Sequence, residues 1–278
     1  GTLRLETAFS YGSIATCELA QIISNVSSQE WQGTALNGVP IRVEQSATLS
    51  NLSEIDLSIA EGVTVGLPMT CRGLLVSDGA CTLSTESATT FTGEAVFGGA
   101  VTVAQNTTFN GSLVLGALPA TPAKVFYGDV DVTLPEGVDL TLLSGQMASG
   151  AYFKKTGEGK LTLSDASYNA NLRLGGVVEF TQDTTINGAL HIEEGAVVFL
   201  PYDATLVATG EVRIEPSVRF ILTTSPEANV TLADAYTLLS SNTAAGLVID
   251  QLATLSVMWQ KVPTDETLSN PQVALAGD

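Results

Sequence analysis

Basic, aromatic and sulfur-containing residues are all scarce in this chain. It has 11 lysine and arginine residues against 29 acidic ones, so its formal net charge is −18 at pH 7. A chain this acidic repels phosphate backbones and anionic membranes, and nucleic acid is therefore not expected as a partner. No run of about 18 consecutive apolar residues occurs, so no transmembrane helix is predicted.

The chain contains only one histidine, which narrows the catalytic chemistry open to it. Ser-His-Asp and Cys-His sites use a histidine as the proton carrier. That residue is His191, on the opposite side of a predicted strand from Leu190 and Ile192 and beside Glu193 and Glu194. We interpret His191 as a solvated strand residue, and we expect the protein not to be an enzyme.

The chain has only three cysteines, which limits the metal sites and disulfides that it can form. Zinc sites need several Cys or His ligands at short spacing, and the sequence offers no such group. Cys71 and Cys81 are the nearest pair and are predicted as candidates for a disulfide, but with Cys17 three pairings are open, each leaving one free thiol. Small buried free thiols are the alternative.

Short stretches of alternating apolar and polar residues are abundant. Three examples are "IRVEQSATLSNL" from residue 41, "TTFTGEAVFGGAVTV" from 89 and "NLRLGGVVEF" from 171. Such stretches predict short strands bounded by Gly, Asn-Gly, Asp-Gly or Pro turns. They follow one another roughly every 10 to 20 residues, which is the length of one coil in a parallel β-solenoid.

We therefore predict an all-β chain that folds as a right-handed parallel β-solenoid with a short N-terminal helical cap. An antiparallel β-sandwich is the alternative, because the same glycine turns also suit hairpins. The predicted parts are a cap over residues 1–35, the solenoid over 36–250 and a closing element or linker over 251–278.

A helix is predicted within "TCELAQIISNV", residues 16–26. Leu19, Ile22, Ile23 and Val26 have the spacing of one helical face, and Thr16 is a suitable N-cap. An open solenoid end exposes unpaired backbone groups, so this helix is a candidate lid; a surface helix on a loop is the alternative.

Residues 151–168, "AYFKKTGEGKLTLSDASY", contain a glycine-flanked lysine. A P-loop would need Gly, four residues and Gly-Lys-Ser/Thr before a helix. Here Gly157-Glu158-Gly159-Lys160 is followed by Leu161 and by a strand pattern. The spacing excludes a phosphate-binding loop and predicts a glycine turn that leads into a strand.

This stretch resembles the autotransporter-associated β-strand repeat, whose Lys-Thr-Gly-x-Gly-x-Leu-x-Leu segment precedes a polar turn and a tyrosine. The match is confined to residues 153–180 and occurs once. The matching residues are Lys155, Thr156, Gly157, Gly159, Leu161, Leu163, Ser164 and Tyr168, with Gly175-Gly176 in the next coil.

The resemblance implies a secreted or surface-displayed parallel β-helix of a Gram-negative-type bacterium, in which the repeat is a structural stalk without catalytic residues. The expected function is that of a non-enzymatic extracellular stalk, adhesin or assembly subunit. Other proteins or surface glycans are the expected partners, and self-association is left open. A carbohydrate-binding or carbohydrate-cleaving β-helix that uses surface carboxylates is the alternative.

Carboxylates are the candidate metal ligands. Asp129, Asp131, Glu136 and Asp139 lie within "GDVDVTLPEGVDL", where stacked coils would bring them near one divalent ion. A second group consists of Glu193, Glu194, Glu211 and Glu215. A solvated acidic face is the alternative for both groups, and no cofactor is expected beyond a weakly held calcium ion.

Aromatic residues are the candidate ligand contacts, because a flat ring covers the apolar face of a pyranose. Tyr152 and Phe153, next to the glycine turn, are predicted first; Tyr127 and Tyr168 are further candidates. A role in the core is the alternative for each.

Overall fold

A computed structural model describes residues 1–8, 20–27, 29, 31, 38–49, 52–84, 88–119, 122–201, 204–215, 218–223, 239–241, 247–249 and 256–260. The chain forms a parallel β-solenoid of about ten turns. It divides into two compact units, Gly1–Val138 and Asp139–Asp278. Helix in the described residues is limited to two 3-10 turns, Pro122–Lys124 and Ser144–Gln146.

The first unit has three faces of parallel strands, numbered here in chain order. Face I consists of β1 (Thr2–Leu5), β2 (Gln21–Ser24), β3 (Ile41–Val43), β5 (Leu57–Ile59), β8 (Leu75–Ser77), β11 (Ala95–Phe97), β14 (Ser112–Leu115) and β16 (Val130–Thr133). Face II consists of β4 (Ala47–Thr48), β6 (Thr64–Gly66), β9 (Cys81–Leu83) and β12 (Val101–Val103). Face III consists of β7 (Thr70–Cys71), β10 (Thr89–Phe91), β13 (Thr107–Phe109) and β15 (Val125–Tyr127).

The second unit also has three faces. Face IV consists of β18 (Ala151–Thr156), β21 (Ala170–Leu174), β24 (Leu190–Ile192), β27 (Val212–Ile214) and β30 (Leu247–Ile249). Face V consists of β17 (Leu140–Leu142), β19 (Lys160–Leu163), β22 (Val177–Phe180), β25 (Val197–Pro201), β28 (Arg219–Thr223) and β31 (Ser256–Gln260). Face VI consists of β20 (Ser167–Tyr168), β23 (Thr184–Ile186), β26 (Leu206–Ala208) and β29 (Leu239–Ser241).

Period-two alternation produces this arrangement, because successive side chains of a strand point to opposite sides. In Phe97's strand, as in most three-residue strands, the first and third residues are buried and the middle one is partly exposed. The inward residues of successive coils stack: the rings of Phe91 and Phe109 lie 5.1 Å apart, and Phe97 meets Phe109 edge-on at 6.0 Å. The prediction of an all-β parallel solenoid is confirmed. Every strand pairing that the structure describes is parallel, so the sandwich alternative is wrong.

The predicted helix over residues 16–26 is wrong where the structure describes that segment. Gln21–Ser24 form strand β2, paired with Thr2–Leu5 on one side and Ile41–Val43 on the other. Ile22 and Ser24 point inward, so the segment also satisfies a period of two, and parallel neighbours on both sides satisfy its backbone. Residues 16–19, with the predicted N-cap, lie outside the described residues.

The predicted division at residues 35 and 250 stays a prediction. Of the closing segment 251–278, the described part is Ser256–Gln260, which pairs in parallel with Arg219–Thr223.

The glycine-flanked lysine stretch is a structural turn. Lys155 is fully buried at 0 % exposure, and its Nζ donates to the carbonyl oxygens of Gly157 at 2.8 Å, Gly175 at 2.9 Å and Val177 at 3.3 Å. Gly176 has a φ of +62°, and a Cβ there would lie 2.2 Å from the Gly157 oxygen. The lysine thus links the turns of two successive coils, and Gly176 permits their close approach.

Tyr168 is the second buried polar anchor of this stretch. Its hydroxyl donates to the Leu142 carbonyl oxygen at 2.7 Å and accepts from the Asp165 amide at 3.0 Å. The side chain is 0 % exposed, so it joins a turn to β17 from within the core.

Lys155 makes stability depend on pH in the alkaline range. Burial lowers the pKa of Lys155 from 10.5 to about 8, against the opposing effect of the Glu158 charge. Between these two values the unfolded chain binds more protons than the folded chain, so the free energy of unfolding contributed by Lys155 rises with pH. At about 1.4 kcal/mol per pKa unit, the rise totals about 3 kcal/mol.

The test compares wild type with Lys155→Met by urea unfolding across this pH window. The difference between the two profiles removes the shared effect of tyrosines and cysteines that titrate in the same range. We expect the rise to be absent from the variant; parallel profiles would show that Lys155 does not titrate there.

Removing the Tyr168 hydroxyl leaves the buried Leu142 carbonyl group and the partly buried Asp165 amide without this partner. We expect Tyr168→Phe to lower the free energy of unfolding by about 1–3 kcal/mol. Tyr152→Phe, at an exposed tyrosine, is the matched control and should cost less than about 0.5 kcal/mol. Equal costs in chemical denaturation would contradict the anchoring role.

Candidate functional site

Face IV carries a column of basic side chains on its outward side. In-register pairing places Lys154 next to Arg173, Arg173 next to His191, and His191 next to Arg213. These residues include the only histidine of a chain with 11 lysines and arginines. Parallel neighbours in a sheet lie about 4.8 Å apart, so the column brings together residues that are distant in sequence.

Carboxylates from the adjacent outward positions hold two of these side chains in place. Arg173 Nε contacts Glu193 Oε1 at 2.5 Å, and His191 Nε2 contacts Glu215 Oε1 at 2.6 Å. Arg213 Nε lies 3.9 Å from the same Glu215 oxygen. Partly exposed pairs of this kind contribute about 0–1 kcal/mol to stability, so their main effect is to fix orientation.

Glu215 is the most heavily used of these carboxylates. Its Oε2 accepts the amide hydrogen of Glu194 at 3.1 Å, while Oε1 contacts His191. Burial raises the pKa of Glu215, but the Glu194 amide, His191 and the Arg213 charge outweigh it and hold the pKa below its usual value. The side chain therefore stays an anion beside the basic column.

Gly175 makes room for the other carboxylate. A Cβ on Gly175 would lie 2.6 Å from Glu193 Oε2, so a larger residue would displace the partner of Arg173. Hydrogen bonds to Glu193 and also to Tyr152 raise the pKa of Arg173. The guanidinium group is thus held between a carboxylate and a phenol.

A cleft of about 300 Å³ lies beside this column. Its lining residues are Tyr152, Asn171, Leu172, Arg173, Ala189, Leu190, His191, Glu211 and Arg213. Ala189 is the small residue between Asn171, whose Oδ1 accepts the Ala189 amide at 3.0 Å, and Glu211 in the next coil. The volume is at the lower end of the range for small-molecule sites.

The two aromatic residues predicted as ligand contacts lie in different environments. Tyr152 is 39 % exposed and lines the cleft, as a ligand contact requires. Phe153 is 0 % exposed and packs in the core, so its prediction as a contact is wrong. Strand alternation forces this outcome, because Tyr152 points outward and its neighbour must point inward. Tyr127 and Tyr168 are also core residues.

The predicted carboxylate quartet does not form a metal site. Asp129, Asp131 and Glu136 are exposed residues of the first unit, and Asp139 is an exposed residue of the second, where its Oδ1 accepts the Lys160 amide at 3.3 Å. Among the described residues, no group of three or more His, Cys, Asp or Glu side chains could hold a metal ion.

The second predicted carboxylate group falls beside the cleft, but in another role. Glu193 and Glu215 bind Arg173 and His191 rather than converging on one point. His191 does lie opposite Leu190 and Ile192, as predicted, yet its carboxylate partner comes from the next coil and not from its sequence neighbours.

Asn171, Arg173, Ala189 and Arg213 are cleft residues that sequence reasoning missed. Asn171, Arg173 and Arg213 occupy outward positions of strands and Ala189 directly precedes β24, but nothing within a single strand distinguishes them. Their recurrence at intervals of one coil is the only signal, and it depends on the pairing register.

The structure describes no helix that is long and apolar enough to cross a membrane. Comparisons with protein-family models, with curated proteins and with solved structures give no match.

The predicted Cys71–Cys81 disulfide is not formed; both residues are buried free thiols. Cys71 lies on face III in register with Phe91, whereas Cys81 lies on face II in register with Val101. Each thiol therefore fills the core from a different face. Cys17 lies outside the described residues.

Burial makes both thiols poor nucleophiles. It raises the pKa of Cys71 to about 12 and also raises that of Cys81, against a hydrogen bond with Ser77. Because the thiolate is the reactive form, alkylation of the folded chain at neutral pH should spare Cys71 and Cys81. Both should react after unfolding without a reductant, as mass spectrometry of labelled peptides can show. Detection of a peptide pair joined through Cys71 and Cys81 would show that the predicted disulfide does form.

Proposed function

We propose that this protein is a non-enzymatic extracellular β-solenoid that acts as a cell-surface adhesin and contacts surface glycans through the cleft on face IV. The observation that carries the proposal is the cleft itself. Two of its polar side chains, Arg173 and His191, are held by carboxylates on the outward side of a packed sheet. Ordering such groups before binding reduces the entropic cost of recognition.

The alternation of inward core residues and outward surface residues along each strand supports this proposal. Inward residues such as Phe153, Leu174 and Ile192 are 0 % exposed and belong to the core. Outward residues on the same strands line the cleft. A scaffold of this kind presents side chains for contact without any change in its own packing.

The extracellular location and the Gram-negative-type source rest on the resemblance of residues 153–180 to the autotransporter-associated repeat. Here the repeat residues Lys155, Gly176 and Tyr168 serve the fold, which agrees with a structural role for the repeat. We also propose a right-handed winding, since parallel β crossovers are right-handed in about 98% of cases. Self-association stays a prediction.

Filling the cleft is the direct test. Ala189→Tyr puts a large side chain into the cleft from a partly exposed position. Binding to glycan-coated surfaces or to intact cells should fall about tenfold or more, a loss of about 1.4 kcal/mol or more. Thr185→Tyr, at an outward position of β23 on face VI, is the matched control and should bind like wild type. Circular dichroism confirms that both variants fold. Equal binding by the two variants would overturn the proposal.

A further inference from the structure

The cleft combines hydrogen-bond donors and acceptors in a way that selects a class of ligand. Arg173 and Arg213 can only donate, whereas an ionised Glu211 can only accept. Asn171 and His191 offer both kinds of group. All five side chains line the same cleft.

A sugar hydroxyl is the ligand group that matches this mixture, because it donates one hydrogen bond and accepts others. Adjacent hydroxyls on a pyranose ring can accept from an arginine and donate to a glutamate at the same time. A carboxylate or sulfate group only accepts, and it would meet the negative charge of Glu211.

The charges around the cleft also disfavour an acidic ligand. Glu193 and Glu215 already contact two members of the basic column, Arg173 at 2.5 Å and His191 at 2.6 Å. The whole chain carries a formal charge of −18, which repels anions at long range. The basic side chains therefore act as oriented donors rather than as a positive patch.

Tyr152 supplies the apolar part of the site. It is the exposed aromatic ring of the lining, at 39 % exposure, and lies at the end of the line formed by Asn171, Ala189 and Glu211. The CH face of a pyranose can pack on such a ring while its hydroxyls reach the polar groups.

We propose that the cleft binds a neutral pyranose unit with adjacent free hydroxyls, with Tyr152 as the stacking platform, Glu211 as acceptor and Arg213 as donor. This inference rests on the proposed function, since it names the ligand class of the same cleft. It assigns to Glu211 a binding role that a solvated surface carboxylate would not have.

The decisive variant is Glu211→Gln, because a neutral sugar and an acidic sugar predict opposite changes in affinity. For a neutral sugar the charge-assisted hydrogen bond weakens, and the affinity should fall about tenfold. For an acidic sugar the repulsion disappears, and the affinity should rise. Glu136→Gln, an exposed residue outside the cleft lining, carries the same charge change and should leave the affinity unaltered.

The measurement is calorimetric titration with neutral disaccharides of glucose, galactose and mannose and with a galacturonic acid disaccharide. We expect at least one neutral disaccharide to bind, with an affinity that is insensitive to salt, reduced by Glu211→Gln and abolished by Ala189→Tyr. Unchanged binding to Glu211→Gln would overturn the role of Glu211 and with it this inference.

The remaining outcomes separate the two proposals. If only the galacturonic acid disaccharide binds, more tightly to Glu211→Gln and not to Ala189→Tyr, the neutral ligand is wrong while the cleft remains a glycan site. If no sugar binds, or if Ala189→Tyr binds like wild type, the proposed function fails together with the ligand class.

Discussion

In-register parallel stacking of successive coils is the constraint on which the rest of this structure depends. Because each strand pairs with the equivalent strand of the next coil, an inward residue always meets another inward residue, and the core is continuous. The same register aligns the outward residues into columns. Residues such as Arg173 and Glu193, 20 positions apart in sequence, therefore become direct partners.

Stacking also brings together carbonyl groups of successive turns, as at Gly157 and Gly175. At one turn of the second unit, the buried amine of Lys155 donates hydrogen bonds to three carbonyl oxygens. A buried ammonium group is costly on its own, but it is tolerable when its hydrogen bonds are all satisfied. Gly176 is needed because the two turns come too close for a Cβ.

Strand alternation could be predicted from sequence, since a period of two identifies both the strands and their inward residues. The helix prediction failed because Leu19, Ile22, Ile23 and Val26 fit the helical spacing while Gln21–Ser24 also fit a strand. The cleft could not be predicted. Its line of residues advances by 19 positions from Tyr152 to Asn171, by 18 to Ala189 and by 22 to Glu211, so no fixed period aligns it.

The cleft forms in a repetitive scaffold because two positions carry small residues. Ala189 interrupts an outward line of larger residues and so opens a cavity, and Gly175 leaves the space that the Glu193 carboxylate occupies. Ala189 is partly exposed, whereas Gly175 is buried at the turn where its carbonyl oxygen accepts a hydrogen bond from Lys155. Since the partly exposed ion pairs contribute little to stability, the outward residues of this face can vary with little cost to the fold. Their arrangement around Ala189 agrees with the recognition role that we propose for the cleft.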